Sequence, residues 1–219
     1  MIKLIYLITP PIIFNFLKRI EDLFRSRVNK KREIKIFDGE SELFESLLKN
    51  STVYGEYGVG DSTVFALNNS KVKIYSVDTS AEWIDNVKKS IIKNKNINNL
   101  TINHIDLGNL SDWGHPRSYS KRGKFVDYRE SIWTHNLKPD LVLIDGRFRV
   151  ACFLTCLKHG DIGTKIIFDD YLERERYHIV EIFLKPEKIV GRQALFKIDK
   201  EFDTEKLENL ILKFEYVFD

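Results

Sequence analysis

The segment Glu56-Tyr57-Gly58-Val59-Gly60-Asp61-Ser62 places a carboxylate, two glycines and a run of helix-capping side chains within seven residues. A β-branched and aromatic stretch precedes it and an amphipathic run follows, so it reads as a strand end that turns straight into a helix. Such a turn lets backbone approach a ligand closely and aims the N–H groups of a helix start at a carboxylate or phosphate. A Gly-x-Gly alone is a weak signal. Asp78 strengthens it, because it stands 20 residues after Gly58 at the end of the next strand. From that place an acidic side chain reaches the ribose hydroxyls of a bound nucleoside. A dinucleotide site calls for a small third residue where Thr63 stands, and Glu56 would repel a pyrophosphate. The same carboxylate suits the amino group and sulfonium of S-adenosylmethionine, whose own carboxylate would take the helix start. The pattern predicts an S-adenosylmethionine site, with a nicotinamide-dependent oxidoreductase as the rival enzyme.

Asp145, Asp169 and Asp170 form a second constellation. They fall at the C-terminal tips of the fourth and fifth predicted strands, where open α/β sheets collect ligands. Three carboxylates that converge repel one another unless a cation or a proton relieves them, and Mg²⁺ with oxygen ligands is the natural relief. The competing arrangement has one aspartate capping a helix and another paired with Arg147, Arg149 or Arg174, with no metal; Arg147 beside Asp145 would then replace the metal's charge. The candidate bases are His104, His115, His135, His159 and His178. His115 and His135 lie in a long loop, and His135 joins Asp145 and Asp169 in the expected catalytic set. The same loop interleaves Arg117, Lys121, Arg122, Lys124 and Arg129 with Tyr119, Phe125, Tyr128 and Trp133. That is either a solvated flap or a surface suited to a sugar or an anion.

The elements that must position these residues alternate short β-branched runs with longer amphipathic ones, the sign of a parallel sheet covered by crossover helices. Strands are expected near 52–57, 73–78, 101–106, 140–145 and 164–169. Helices are expected over 41–49, 62–69, 81–95, 148–159 and 175–185, with a last one marked by Leu207, Leu210, Ile211 and Phe214. Residues 188–192 and 194–198 stand too close for a crossover helix and must form a hairpin or an antiparallel edge. Leu107 to Lys138 has no clear periodicity and is expected to be an irregular functional loop. The fold class is therefore α/β, a doubly wound, mostly parallel seven-stranded sheet, formed by residues 41–219 behind an N-terminal extension of residues 1–40.

Composition sets the outer limits. At 219 residues, 43% apolar and 31% charged, the chain is long enough for one well-buried domain and leaves little room for disorder. A net charge of +3 from 35 basic and 32 acidic residues is far from the dense basic stripe of a nucleic-acid binder. Cys152 and Cys156 are four apart in an apolar run and read as reduced core thiols, which fits a cytoplasmic setting. Met1 to Leu17 is almost wholly apolar but carries Pro10-Pro11, too interrupted to span a membrane, and basic residues follow it. It is expected to pack on the domain, to contact a second protomer, or to sit peripherally against an anionic inner membrane face.

Glu56-Tyr-Gly-Val-Gly60-Asp-Ser-Thr63, followed by Tyr75-Ser-Val-Asp78, resembles the first two motifs of class I methyltransferases. The resemblance runs from about Val53 to Lys197 and continues in His104-Ile-Asp106-Leu107-Gly108, Leu143-Ile-Asp145-Gly146-Arg147-Phe-Arg149 and Phe168-Asp169-Asp170-Tyr171. It implies a Rossmann-like fold, with Asp106 near the adenine amino group and Tyr57, Ser62, Thr79 and Leu107 among the cofactor contacts. The acidic residues after strands four and five are similar to the metal site of catechol-type and macrolide-sugar O-methyltransferases, a resemblance that implies a metal orienting the acceptor hydroxyl and lowering its pKa for attack on the methyl group. The Asp-Gly-Arg-Phe-Arg run with the later Asp-Tyr resembles a bacterial group of methyltransferases linked to surface polysaccharide. The resemblance implies O-methylation of a saccharide or another small hydroxyl acceptor. A rival of another class is a non-catalytic cofactor-binding scaffold in a membrane-associated glycan assembly. RNA methylation is disfavoured because no Asn-Pro-Pro-Tyr motif is present.

Overall fold

The computed structural model describes residues 41–218, preceded by 36–39 and the isolated positions 10 and 13. The expectations for the rest of the 1–40 extension lie outside the described residues. Among the described residues no helix is long and apolar enough to cross a membrane.

Helix α1 (Glu42–Leu48) leads into β1 (Val53–Tyr57), α2 (Asp61–Asn69), β2 (Lys73–Asp78), α3 (Ala81–Ile91) and β3 (Leu100–His104). Helix α4 (Phe125–Glu130), β4 (Leu141–Ile144), α5 (Arg149–His159) and β5 (Lys165–Phe168) follow. The chain ends with a 3₁₀ segment (Glu175–Ile182), β6 (Lys188–Val190), β7 (Gln193–Lys197) and α6 (Thr204–Phe214). The sheet runs β3-β2-β1-β4-β5-β7-β6. All neighbours are parallel except at β7, which is antiparallel to both β5 and β6.

Every residue of β1 and β4 is buried, as expected of central parallel strands covered on both faces. Alternation sorts their side chains between two apolar layers. Tyr54, Ile74, Leu141, Leu143 and Ile167 face α1, α2 and α3. Tyr57, Val77, Val142, Ile144 and Phe168 face α5 and α6. Cys152 and Cys156 are buried free thiols in the second layer. The chain reverses its order of strand addition between β1 and β4, which opens a crevice at their C-terminal tips.

Two expected elements differ. The loop from Leu107 to Lys138 holds α4, with Phe125, Tyr128 and Ile132 buried at helical spacing; the helix is only six residues long, so its period is lost among polar neighbours. The run expected as a helix over 175–185 is a 3₁₀ segment over Glu175–Ile182.

Candidate functional site

The turn after β1 is shaped by contact with the turn after β4. Gly58 has φ +100°, and a Cβ there would lie 3.0 Å from the Gly146 backbone. A Cβ on Gly146 would lie 2.8 Å from the Gly58 amide nitrogen and 2.2 Å from the Tyr128 hydroxyl. The close approach of two backbones, the reason to place glycine at such turns, thus involves Gly146 as well as Gly58. Asp78 fixes the turn from the next strand: its carboxylate accepts the Val59 N–H at 2.9 Å and the Ser80 N–H at 2.8 Å. Each oxygen retains a lone pair, so the half-buried carboxylate can still accept from a diol. Burial pushes the Asp78 carboxyl upward, opposed by these amides and by the Arg147 charge. Gly60 stands at the start of α2 with its N–H bonded to Thr63 Oγ1 at 2.9 Å. The Trp83 indole N–H reaches the Val59 carbonyl. This glycine-lined cradle, with an acceptor carboxylate at its edge, fits an adenosyl amino acid.

Glu56 does not face that cradle. Its fully buried carboxylate accepts hydroxyls from Tyr54, Ser62, Thr63 and Ser76 at 2.5–2.9 Å. Burial raises its pKa, and the four hydroxyls work the other way. The expectation that it meets the cofactor's amino group is corrected: it ties β1, β2 and the start of α2 together beneath the turn. Ser62 spends its hydroxyl on Glu56, and Tyr57 buries its ring and bonds Arg129 O and Trp133 Nε1. The side chains of both are structural here. Leu107 is likewise buried in the core. Thr79 is buried and donates to the Gly114 carbonyl at 2.9 Å, holding the loop around Trp113 above the β2 tip. Asp106 is exposed beyond β3, bonds the Gly108 N–H and pairs with Lys121, and those contacts lower its pKa.

The second constellation assembles as expected: Asp145, Asp169 and Asp170 offer ligand atoms within 4.8 Å of one another. Guanidinium groups cross it. Arg149 is 3.0 Å from Asp145 Oδ1 and 3.2 Å from Asp170 Oδ2. Arg192 grips Asp169 with two bonds, Nε to Oδ1 at 3.0 Å and Nη2 to Oδ2 at 2.7 Å, and Gln193 adds a third at 3.0 Å. Arg174 meets Asp170 Oδ2 at 2.7 Å. The three carboxylates thus face three arginines, so a divalent cation here would compete with guanidinium charge for the same groups. Burial and the Asp169 charge raise the Asp145 carboxyl, against Arg149. Burial works the same way on Asp170, but Arg149, Arg174 and Arg192 outweigh it and hold that carboxyl low.

His135 does not join this site. It stacks on Tyr75 at 3.9 Å and feels the charge of Lys73 at the start of β2, whereas Asp145 stands at the strands' C-terminal tips. His115 is closer, with Nε2 against Arg147. His178 and His159 are engaged with Tyr171 and Glu130. The aromatic side chains read as an acceptor surface also turn inward: Phe125 and Tyr128 are core residues, while Tyr119 packs on Phe218 and Trp133 on His159. Arg192 and Gln193 are additions that strand patterns could not show. Antiparallel pairing of Phe168 with Ala194 sets the β6–β7 turn beside Asp169.

A seven-stranded sheet of this order, with a glycine turn after β1 and an acid closing β2, defines a Rossmann-like methyltransferase fold. No protein-family model and no curated protein matches the chain. Among solved structures it is similar to a methyltransferase-like protein from Silicibacter pomeroyi, at 32% identity over 84% of this chain and 98% of that one, with a TM-score of 0.73. It shares its fold with a putative O-methyltransferase from Klebsiella pneumoniae (15% identity, 90% and 94% covered, TM-score 0.53). It also shares it with the O-methyltransferase TomG from Streptomyces achromogenes, solved in complex with S-adenosylmethionine (11% identity, 80% and 86% covered, TM-score 0.55). The chain belongs to the class I S-adenosylmethionine-dependent methyltransferase family.

Proposed function

We propose that this chain binds S-adenosylmethionine over the β1–α2 turn and methylates an oxygen of a small hydroxyl-bearing acceptor, a saccharide being the class its Asp-Gly-Arg-Phe-Arg run favours. The observation that carries the reading is the cradle of Gly58, Val59 and Gly60 braced by Asp78, with Asp145 beside it across the Gly58–Gly146 contact. When bound, the cofactor supplies an electrophilic methyl group on a sulfonium. Asp78 accepts from the ribose, and the start of α2 receives the carboxylate. Asp145, 36% exposed and with a raised affinity for protons, would take the acceptor hydroxyl's proton as the C–O bond forms and the methyl–sulfonium bond breaks, S-adenosylhomocysteine being the leaving thioether. Of the two activators raised by the sequence, Mg²⁺ and a protein base, the ion pairs around Asp169 and Asp170 favour the base.

Photolabelling with methyl-tritiated S-adenosylmethionine, followed by transfer to a panel of saccharide and phenol acceptors, tests this reading. Wild type should be labelled in competition with S-adenosylhomocysteine, and Asp145→Asn should retain labelling but lose transfer. An unlabelled wild type contradicts the cofactor; undiminished transfer by Asp145→Asn removes the base.

A further inference from the structure

We infer that Arg149 occupies, as a built-in cation, the place among Asp145, Asp169 and Asp170 that a divalent metal would otherwise take, so that the acceptor end of the crevice works without a metal ion. The inference rests on the reading above only in taking these strand tips as the acceptor side.

The Arg149 guanidinium is ligated almost as an ion would be. Its three nitrogens meet five oxygens: Asp145 Oδ1 at 3.0 Å, the Asp145 carbonyl at 3.2 Å, the Gly146 carbonyl at 3.0 Å, the Asp169 carbonyl at 2.8 Å and Asp170 Oδ2 at 3.2 Å. These come from the tips of both β4 and β5, and the side chain is only 3% exposed. A planar, permanently charged fork suits this task, since it donates in fixed directions and cannot lose its proton. The chain bends to bring it there. Phe148, just before Arg149, has φ +54°, and Asp170 has φ +56°. Two side-chain-bearing residues in the left-handed region, one capping the start of α5 and one just past β5, are unfavourable locally and persist where surrounding contacts over-determine them.

Arg192 completes the exclusion. Its bidentate grip on Asp169, with Gln193 on the same carboxylate, occupies the most buried ligand of the set. A metal entering here would have to break charge-assisted bonds and would leave arginine charge displaced close by. Arg149 is a positioning residue in this account: it holds Asp145 at the cradle and prevents three carboxylates from repelling.

Manganese titration of the full-length protein, followed by the loss of free Mn²⁺ paramagnetic signal, tests the inference alongside melting curves in chelator and in Mg²⁺. Wild type should show no saturable Mn²⁺ site and one melting temperature in both buffers. Arg192→Gln, a change at a partly exposed side chain that leaves Arg149 in place, should still show no saturable Mn²⁺ site, whereas Arg149→Gln should gain one, because the carboxylates then lack the cation among them. Arg149→Met should melt lower in chelator and recover with Mn²⁺. A saturable wild-type site lost in Asp169→Asn overturns the inference, as does a folded Arg149→Gln or Arg149→Met variant that gains no saturable Mn²⁺ site. Cofactor failure is read separately, since these titrations contain no S-adenosylmethionine.

Discussion

At the tips of β1 and β2 the acidic side chains are met by neutral donors: four hydroxyls enclose Glu56, and two backbone amides hold Asp78. At the tips of β4 and β5, three carboxylates are met by guanidinium groups from α5, the 3₁₀ lead-in and the β6–β7 turn. The first half uses contacts made between nearby strands and one helix start, and it leaves the Asp78 carboxylate alone at the edge of the cradle. The second half cancels its charge internally and keeps one carboxylate, Asp145, partly exposed. Fixed dipoles thus hold the first half, while in the second burial and the Asp169 charge raise the proton affinity of Asp145 against the pull of Arg149.

Several substitutions separate the halves. Removing the cation is the largest disturbance: Arg149→Met leaves Asp145 and Asp170 underpaired and should lower unfolding free energy by about 3–5 kcal/mol in urea denaturation, the cost of breaking a buried pair. Gly146→Ala acts on the seam between the halves. Its Cβ meets the Tyr128 hydroxyl and the Gly58 nitrogen, so a loss of about 1–3 kcal/mol from overpacking is expected, together with weaker cofactor binding. Glu56→Gln preserves shape but replaces an acceptor-only group. With four hydroxyls around it, it should lower stability by about 1–2 kcal/mol while leaving Mn²⁺ behaviour untouched.

The pH dependence is subtler. Asp145 binds its proton more tightly when folded, so its stabilising contribution is full below the unfolded carboxylate pKa and is lost as pH rises through the elevated folded value. Asp170 is held low, so its contribution is full above the unfolded value and is lost as pH falls through the folded one. Melting curves across pH should therefore show Asp145→Asn removing part of the alkaline decline and Asp170→Asn part of the acid decline. The opposite assignment would reverse the roles of the two aspartates.

The first half was largely legible in the sequence, because its parts lie on consecutive elements with known spacing: the glycines at 58 and 60, Asp78, and the strand and helix between them. The exception was Glu56, whose type was read correctly as acidic but whose direction depends on Ser76, a residue of the neighbouring strand. The convergence of Asp145, Asp169 and Asp170 was legible from strand ends alone, and Arg149 and Arg174 were foreseen as competing partners. Arg192 and Gln193 were not, since their place follows from β7 running antiparallel to β5. His135 was misplaced because a loop residue carries no periodicity to say which end of the sheet it reaches.

Calorimetric titration of the wild-type chain with S-adenosylmethionine and S-adenosylhomocysteine, with NADH as control and Asp78→Ala beside it, shows whether the β1–α2 turn is an adenosyl site. Both adenosyl ligands should bind saturably, NADH should not bind, and Asp78→Ala should weaken binding about tenfold or more from the loss of bonds to a charged acceptor. Binding unchanged by Asp78→Ala, or NADH binding as well as the adenosyl ligands, would contradict an adenosyl site there.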